Sequence, residues 1–336
     1  MHEVPSRVMR TAPRASARLP RLGMLVACSL LAALGAAPAA SGASNLRVVR
    51  DVPVPTTDGG RITVDVWRVR PARSTRRAVR PRPAPRPVAL LVHGGGWHSG
   101  DKRQWEQSRW AQRLAQRGWL VVNANYRLAC TAPVTAREAR ARDSRLCGHA
   151  MRTSIADVRS TLRFTSRMSR SWGGDPARIV LFGASAGGQL AMLAGSDRSR
   201  PAGVRAVVAI APPTDLAWVG DRPDLPLHAS ASQSIGCTMA DCPEAWSSAS
   251  PISVVRRGTT PPTWVFNAGS DPITPIEPGR AYVGALRSAG IPATLLTTAD
   301  PTATCHGAIP CRTEPLAGVR GGMFEHVMTW LVPRIR

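Results

Sequence analysis

The stretch that most constrains this chain is Arg178-Ile179-Val180-Leu181-Phe182-Gly183-Ala184-Ser185-Ala186-Gly187-Gly188, followed by Gln189-Leu190-Ala191-Met192-Leu193-Ala194. An apolar run, a cluster of small residues and a second apolar run read as a strand, a sharp turn and a helix. A Gly-x-Ser-x-Gly turn in that setting holds its serine in a strained backbone conformation. Bulk at Gly183 or Gly187 would collide with the neighbouring strand or helix. Ser185 is therefore the candidate nucleophile; the alternative is a glycine-rich turn carrying an ordinary serine. The spacing is not Gly-x-Gly-x-x-Gly and no Gly-Lys-Ser/Thr occurs, so neither a dinucleotide fingerprint nor a phosphate-binding loop fits.

From Pro87 onward apolar strands alternate with amphipathic helices. Strands are expected at 88–92, 119–124, 178–182, 204–211, 262–267 and 293–298, and helices at 104–117, 151–168, 278–289 and 322–331. Continuous apolar strands joined by helical crossovers imply an α/β fold, with a mostly parallel central sheet buried on both faces by helices. Ahead of this pattern, Leu46 to Val54 and Arg61 to Trp67 alternate around Asp58-Gly59-Gly60, which reads as an N-terminal β-hairpin. Residues 71–87 hold five prolines and six arginines and form a loop, because such sequence neither helicates nor pairs inside a sheet. Residues 44–336 are expected to make a single catalytic domain, with insertions at 131–150 and 217–254 decorating the edge of its active site.

Residues 1–43 read as an export signal. Arg7, Arg10, Arg14, Arg18 and Arg21 form a basic region, Met24 to Ala37 is apolar but short for a bilayer span, and Ala37-Pro38-Ala39 or Ser41-Gly42-Ala43 offers a cleavage site. Leu25-Val26-Ala27-Cys28 resembles a lipoprotein box, although the apolar run continues past Cys28 instead of ending there. The expected location is secreted or associated with the cell envelope.

Cysteine usage agrees with export. Beyond Cys28 there remain Cys130, Cys147, Cys237, Cys242, Cys305 and Cys311, an even number whose simplest pairing joins sequence neighbours. Neither Cys-x-x-Cys nor His-Glu-x-x-His occurs, so no metal site is expected. The net charge is +23; removing 1–43 takes five of 44 basic and one of 21 acidic groups and leaves about +19. Lys102 is the only lysine, and no aromatic-interleaved basic motif for nucleic acid appears. What remains of the charge implies at most weak attraction to anionic envelope surfaces.

The strand ending at Val92 runs into His93-Gly94-Gly95-Gly96-Trp97. Three consecutive glycines cost backbone entropy and mark a place where main chain approaches something closely or points N–H groups outward, as an oxyanion hole requires. His93-Gly94-Gly95-Gly96-Trp97, Asn125-Tyr126-Arg127-Leu128, Gly174-Asp175-Pro176 and Gly183-Ala184-Ser185-Ala186-Gly187-Gly188 together resemble the α/β-hydrolase superfamily, in particular its hormone-sensitive-lipase-like and acetyl/feruloyl-esterase-like carboxylesterases. The resemblance covers Pro87 to Leu331. It implies an α/β-hydrolase fold, an oxyanion hole from the N–H groups of Gly95, Gly96 and Ala186, and a structural role for His93.

In that fold the triad follows the chain order serine, acid, histidine. His228 precedes the later strands, His326 lies in an amphipathic helix, and His306 lies in the loop Cys305-His306-Gly307-Ala308-Ile309-Pro310-Cys311. Loop position favours His306 as base, restrained by a disulfide; the flanking cysteines depart from the family's commoner pattern. Asp271, in Ser270-Asp271-Pro272 after a strand, sits where the family places its carboxylate, with Asp215 in reserve and Asp300 third. The expected function is hydrolysis of small short-acyl carboxylic esters through a Ser185–His306–Asp271 triad, with no cofactor. Amidase or formamidase, feruloyl or acetyl-xylan esterase, lipase or polyester hydrolase, and a non-catalytic binding module on the same fold are the alternatives. Oligomeric state is not legible.

Overall fold

The computed structural model describes residues 45–70, 84–130, 144–307, 311, 316–318 and 321–336. Alternation in the first strands produces the hairpin: β1 (Leu46–Pro55) pairs antiparallel with β2 (Arg61–Val69), and Thr56 N–H donates to Gly60 O across the turn. Apolar runs then supply β3 (Arg86–Val92), β4 (Leu120–Ala124), β5 (Gly174–Ala184), β6 (Val204–Ile210), β7 (Thr263–Phe266) and β8 (Ala293–Leu296). The order across the sheet is β1-β2-β4-β3-β5-β6-β7-β8. Pairing is parallel from β4 onward, with β2 antiparallel to β4.

Strand alternation divides the core into two layers. Val88, Leu90 and Val92 of β3 face one layer with Leu120, Val122, Ile179 and Leu181, which α2 (Met151–Met168), α3 (Ala186–Gly195) and α7 (Ile276–Ser288) cover. Ala89 and Leu91 face the other with Val121, Val180 and Phe182, beneath α1 (Trp105–Gln116) and α8 (Met323–Leu331). Helices on both faces explain why these strands are apolar throughout.

Observed elements differ from the sequence expectations mainly at their ends. β5 begins at Gly174 rather than Arg178, because β3 starts at Arg86 and pairs it with Gly174; a register irregularity there accommodates Pro176. The stretch 217–254 contains three short helices that periodicity did not reveal: most of α4 (Leu216–Gly220), α5 (Pro226–Ile235) and α6 (Pro243–Ser248). Residues 1–43, expected to be an export signal, most of the Pro/Arg loop and residues 131–143 lie outside the described residues.

Ion pairs tie the hairpin to the loop that follows β3. Lys102, 2% exposed, donates Nζ to Asp51 Oδ1 at 2.9 Å and to Thr63 Oγ1 at 2.8 Å, while Arg103 Nε donates to the buried Asp65 at 3.0 Å. Arg127 grips buried Asp157 with two bonds of 2.7 and 2.9 Å and reaches Asp58 of the hairpin turn at 2.7 Å. Breaking either pair on one side would strand a buried charge, a far larger penalty than losing a surface pair.

Candidate active site

Parallel strands deliver four loops to their carboxyl ends, where α/β sheets bind ligands. β5 ends at the elbow. Ser185 adopts φ 51° and ψ −127° at the N-terminus of α3, and its N–H is fixed by Ile210 O at 2.8 Å. A β-branched or bulky residue is costly at that φ, and the strain persists because backbone presses in from two sides. A Cβ at Gly183 would lie 2.2 Å from Gly187 O, and one at Gly187 would lie 2.3 Å from both Val92 O and His93 O. Glycine is thus demanded by packing of the turn against its own helix and against β3.

β3 delivers the glycine loop. Gly95 has φ 120°, and a Cβ there would lie 2.1 Å from Ser99 O; the loop is closed by Ser99 N–H donating to Gly95 O at 3.0 Å. Among the described residues, none of Gly95, Gly96 and Ala186 donates its N–H to another protein group. His93 is fully buried, stacked on Tyr126 with ring centroids 4.2 Å apart, and its Nδ1 lies 2.8 Å from Gly94 O. Burial pushes its pKa down to about 4, so the ring is neutral at pH 7 and Nδ1–H donates to that carbonyl.

The motif Asn125-Tyr126-Arg127 proves to be the loop's support. Asn125 accepts Lys102 N–H at 2.6 Å and donates to Asp101 at 2.8 Å, and Tyr126 O–H donates to His93 O at 3.0 Å. Gln189, four residues after Ser185, accepts Trp97 Nε1–H at 3.1 Å and donates to Ala249 O at 2.7 Å. His98 Nε2 lies 2.9 Å from Ser230 O on α5, tying the 217–254 insertion to the glycine loop. Sequence reading gave none of these a role, since their partners lie 23 to 132 positions away.

β7 leads to Asp271, which is 4% exposed. Its Oδ1 accepts the N–H groups of Ile273 and Thr274, both at 2.9 Å, and its Oδ2 lies 3.0 Å from Thr274 Oγ1. His306 Nδ1 meets Oδ2 at 2.8 Å and Oδ1 at 3.0 Å. With Nδ1 engaged by the carboxylate, Nε2 is left as the ring's proton acceptor. Thr274 was missed; the run Asp271-Pro272-Ile273-Thr274, an aspartate turn ending in a hydroxyl, was the available signal. Cys305 and Cys311 sit at bonding distance with Cα atoms 5.3 Å apart, as do Cys130 with Cys147 (5.2 Å) and Cys237 with Cys242 (6.2 Å).

The competing side chains stand elsewhere. Asp215 caps α4 by accepting Trp218 N–H at 3.0 Å, and exposed Asp300 accepts the N–H and hydroxyl of Thr302. His326 Nδ1 accepts Trp264 Nε1–H at 3.2 Å, and burial lowers its pKa. His228 packs beside Trp246, with ring centroids 5.7 Å apart. Ser185, His306 and the glycine loop instead line one cavity of about 390 Å³, whose walls include Gln104 with Glu106 and Gln107 of α1 on one side and Pro226, Leu227 and Ser230 of α5 on another.

A protein-family model described as BD-FAE matches residues 80–286, more than half of the chain. The chain belongs to the BD-FAE family. That match takes in the glycine loop, Ser185 and Asp271 but stops short of His306. Among curated relatives, it is 29% identical over 250 residues to the esterase LipQ of Mycobacterium tuberculosis, covering 70% of this chain and 52% of LipQ. Esterase LipC of the same organism is 29% identical over 240 residues, with 67% and 52% covered. The chain spans about half the length of these relatives.

Among solved structures, the Thermogutta terrifontis esterase Est2 with propionate bound superposes with a TM-score of 0.57 at 21% identity, covering 84% of this chain and 94% of Est2. The esterase of Pyrobaculum calidifontis gives 0.56 at 23%, with 75% of each chain covered. This BD-FAE member has the α/β-hydrolase fold.

Proposed function

We propose that this BD-FAE member is an exported serine carboxylesterase acting on small short-acyl esters. The observation that carries the reading is the convergence on one cavity of a strained elbow serine, a histidine braced by a buried aspartate, and glycine N–H groups left unbonded. Ser185 Oγ attacks the ester carbonyl as His306 Nε2 accepts its proton. Asp271 holds the ring's tautomer and stabilises the imidazolium without itself taking the proton. The N–H groups of Gly95, Gly96 and Ala186 receive the oxyanion. His306 then protonates the leaving alcohol, and water, deprotonated by the same ring, releases the acid from the acyl enzyme.

Short acyl chains are favoured by the modest cavity, and Est2 structures holding propionate and butyrate are in keeping with that. Export is supported by the basic and apolar leader and by three cysteine pairs suited to an oxidising compartment. The test is hydrolysis of p-nitrophenyl acetate, butyrate and a long-chain ester by the disulfide-intact protein. Ser185→Ala and His306→Ala are expected to lose at least about 10⁴-fold in kcat, whereas His326→Ala keeps activity. No turnover of any ester, or a fully active Ser185→Ala, would remove the esterase reading and favour a binding role.

A further inference from the structure

Gln107 stands out among the cavity residues. It is 6% exposed on α1, its Nε2 is buried without a partner, and its amide forms no hydrogen bond to another described residue. Other buried polar atoms in the described residues also lack partners, but of those residues Gln107 alone lines the catalytic cavity. A buried amide with nothing to bond is destabilising, and an apolar side chain of the same shape would not be. Such a group has its use when a ligand completes it.

Its location indicates which part of the ligand does so. Beside the elbow a second chamber of about 20 Å³ opens between Leu91, Trp110, Phe182, Gly183 and Ile210, and Gln107, with Glu106 and Ala184, borders both this chamber and the main cavity. The chamber has room for about one methyl-sized or water-sized group. A leaving alcohol departs through the wider cavity, whereas the acyl group stays on Ser185 until water releases it, so the confined chamber suits the acyl side.

We propose that Gln107 is a specificity-determining residue that hydrogen-bonds a hydroxyl on C2 of a short acyl group, making 2-hydroxyacyl esters the preferred substrates. This rests on the esterase reading above. A hydroxyl both donates and accepts, so it can pair with either atom of the amide. A methyl in the same place covers the amide without pairing it, and sites built to bond a hydroxyl discriminate strongly against analogues lacking one.

The experiment compares ethyl glycolate with ethyl propionate, which place a hydroxyl or a methyl at the same position, in native protein and in Gln107→Met. The readout is the ratio of the two kcat/KM values, because the intrinsic reactivity of the glycolate ester cancels between proteins. We expect that ratio to fall about tenfold in the variant, while its Tm rises. The pair 2-hydroxyethyl acetate and propyl acetate, with the hydroxyl on the alcohol, should keep one ratio in both proteins. An unchanged acyl ratio, or a change confined to the alcohol pair, overturns the proposal. Independently of any substitution, glycolate should inhibit the native enzyme at lower concentration than propionate, and equal inhibition also overturns it. Absence of turnover on all four esters would fell the esterase reading and this inference together, whereas equal treatment of both acyl esters fells the inference alone.

Discussion

The two halves of the candidate site are held in place by different physics. On the nucleophile side, main chain packs against main chain: Gly187 has no room for a methyl group beside Val92 O and His93 O, and Ser185 is held at positive φ between β5 and α3. On the acid–base side, side chains do the positioning: Asp271 gathers two backbone N–H groups, a threonine hydroxyl and His306, and a cysteine pair brackets the histidine loop. A steric site fails when an atom is added, and a hydrogen-bonded site fails when one is removed. That contrast decides which substitutions inform about each half.

Beyond loss of Ser185 or His306 themselves, the largest effect is expected from removing a polar atom on the acid–base side. Asp271→Asn retains shape but no longer holds Nδ1–H of His306 with a charge, and kcat should fall about 10³- to 10⁴-fold at unchanged Tm, read in the p-nitrophenyl acetate assay. Retained activity would mean that the ring is oriented by Thr274 instead. Adding an atom on the other side should act on folding. Gly187→Ala is expected to destabilise by more than about 3 kcal/mol in urea titration, and a variant as stable as the native protein would show that the elbow yields.

Acid gives a third way to separate the halves, through His93 beneath the glycine loop. Its pKa is about 4 folded against an ordinary 6.5, so the unfolded chain binds the proton more readily. The stability this contributes is fully present above about pH 6.5 and is lost as pH falls toward 4, by about 3 kcal/mol in all. Urea midpoints measured from pH 7 to 4 should decline across that window; a flat profile contradicts it. Asp51, lowered to about 2 mainly by its hydrogen bond to Lys102, loses its contribution only below its usual 3.8, so the two windows do not overlap.

The smallest expected effect comes from opening the histidine loop. Replacing Cys305 and Cys311 by serine should lower kcat about tenfold through misplacement of His306 and slow labelling of Ser185 by a fluorophosphonate in parallel, because the same ring activates the serine in both reactions. An unchanged kcat would show that the hydrogen bonds to Asp271 hold the ring without the disulfide.

Much of this architecture was legible in the chain itself. The hairpin, the parallel strands, the crossover helices and the elbow are written in periodicity and in small residues, because backbone conformation and the exclusion of a Cβ are properties of a few neighbouring positions. For the same reason Ser185 could be singled out from its flanking sequence. The glycine loop was legible as a place of close approach, though not what it approaches: the carbonyl of Ser99 and the elbow lie at distances only folding sets.

Only the tertiary structure decided who meets whom. His306 reaches Asp271 across 35 positions, while His326, equally late in the chain, is occupied by Trp264, and Asp215 is turned to capping a helix. Gln189 and Asn125 became supports through partners no spacing rule connects to them, and Gln107 acquired interest by ending up beside the cavity with its Nε2 unpaired. A hydrogen bond depends on positions and angles to within fractions of an ångström. Strand order, helix packing and loop closure fix those together, so the sequence determined the elements and their elbow, and the packed fold determined the site.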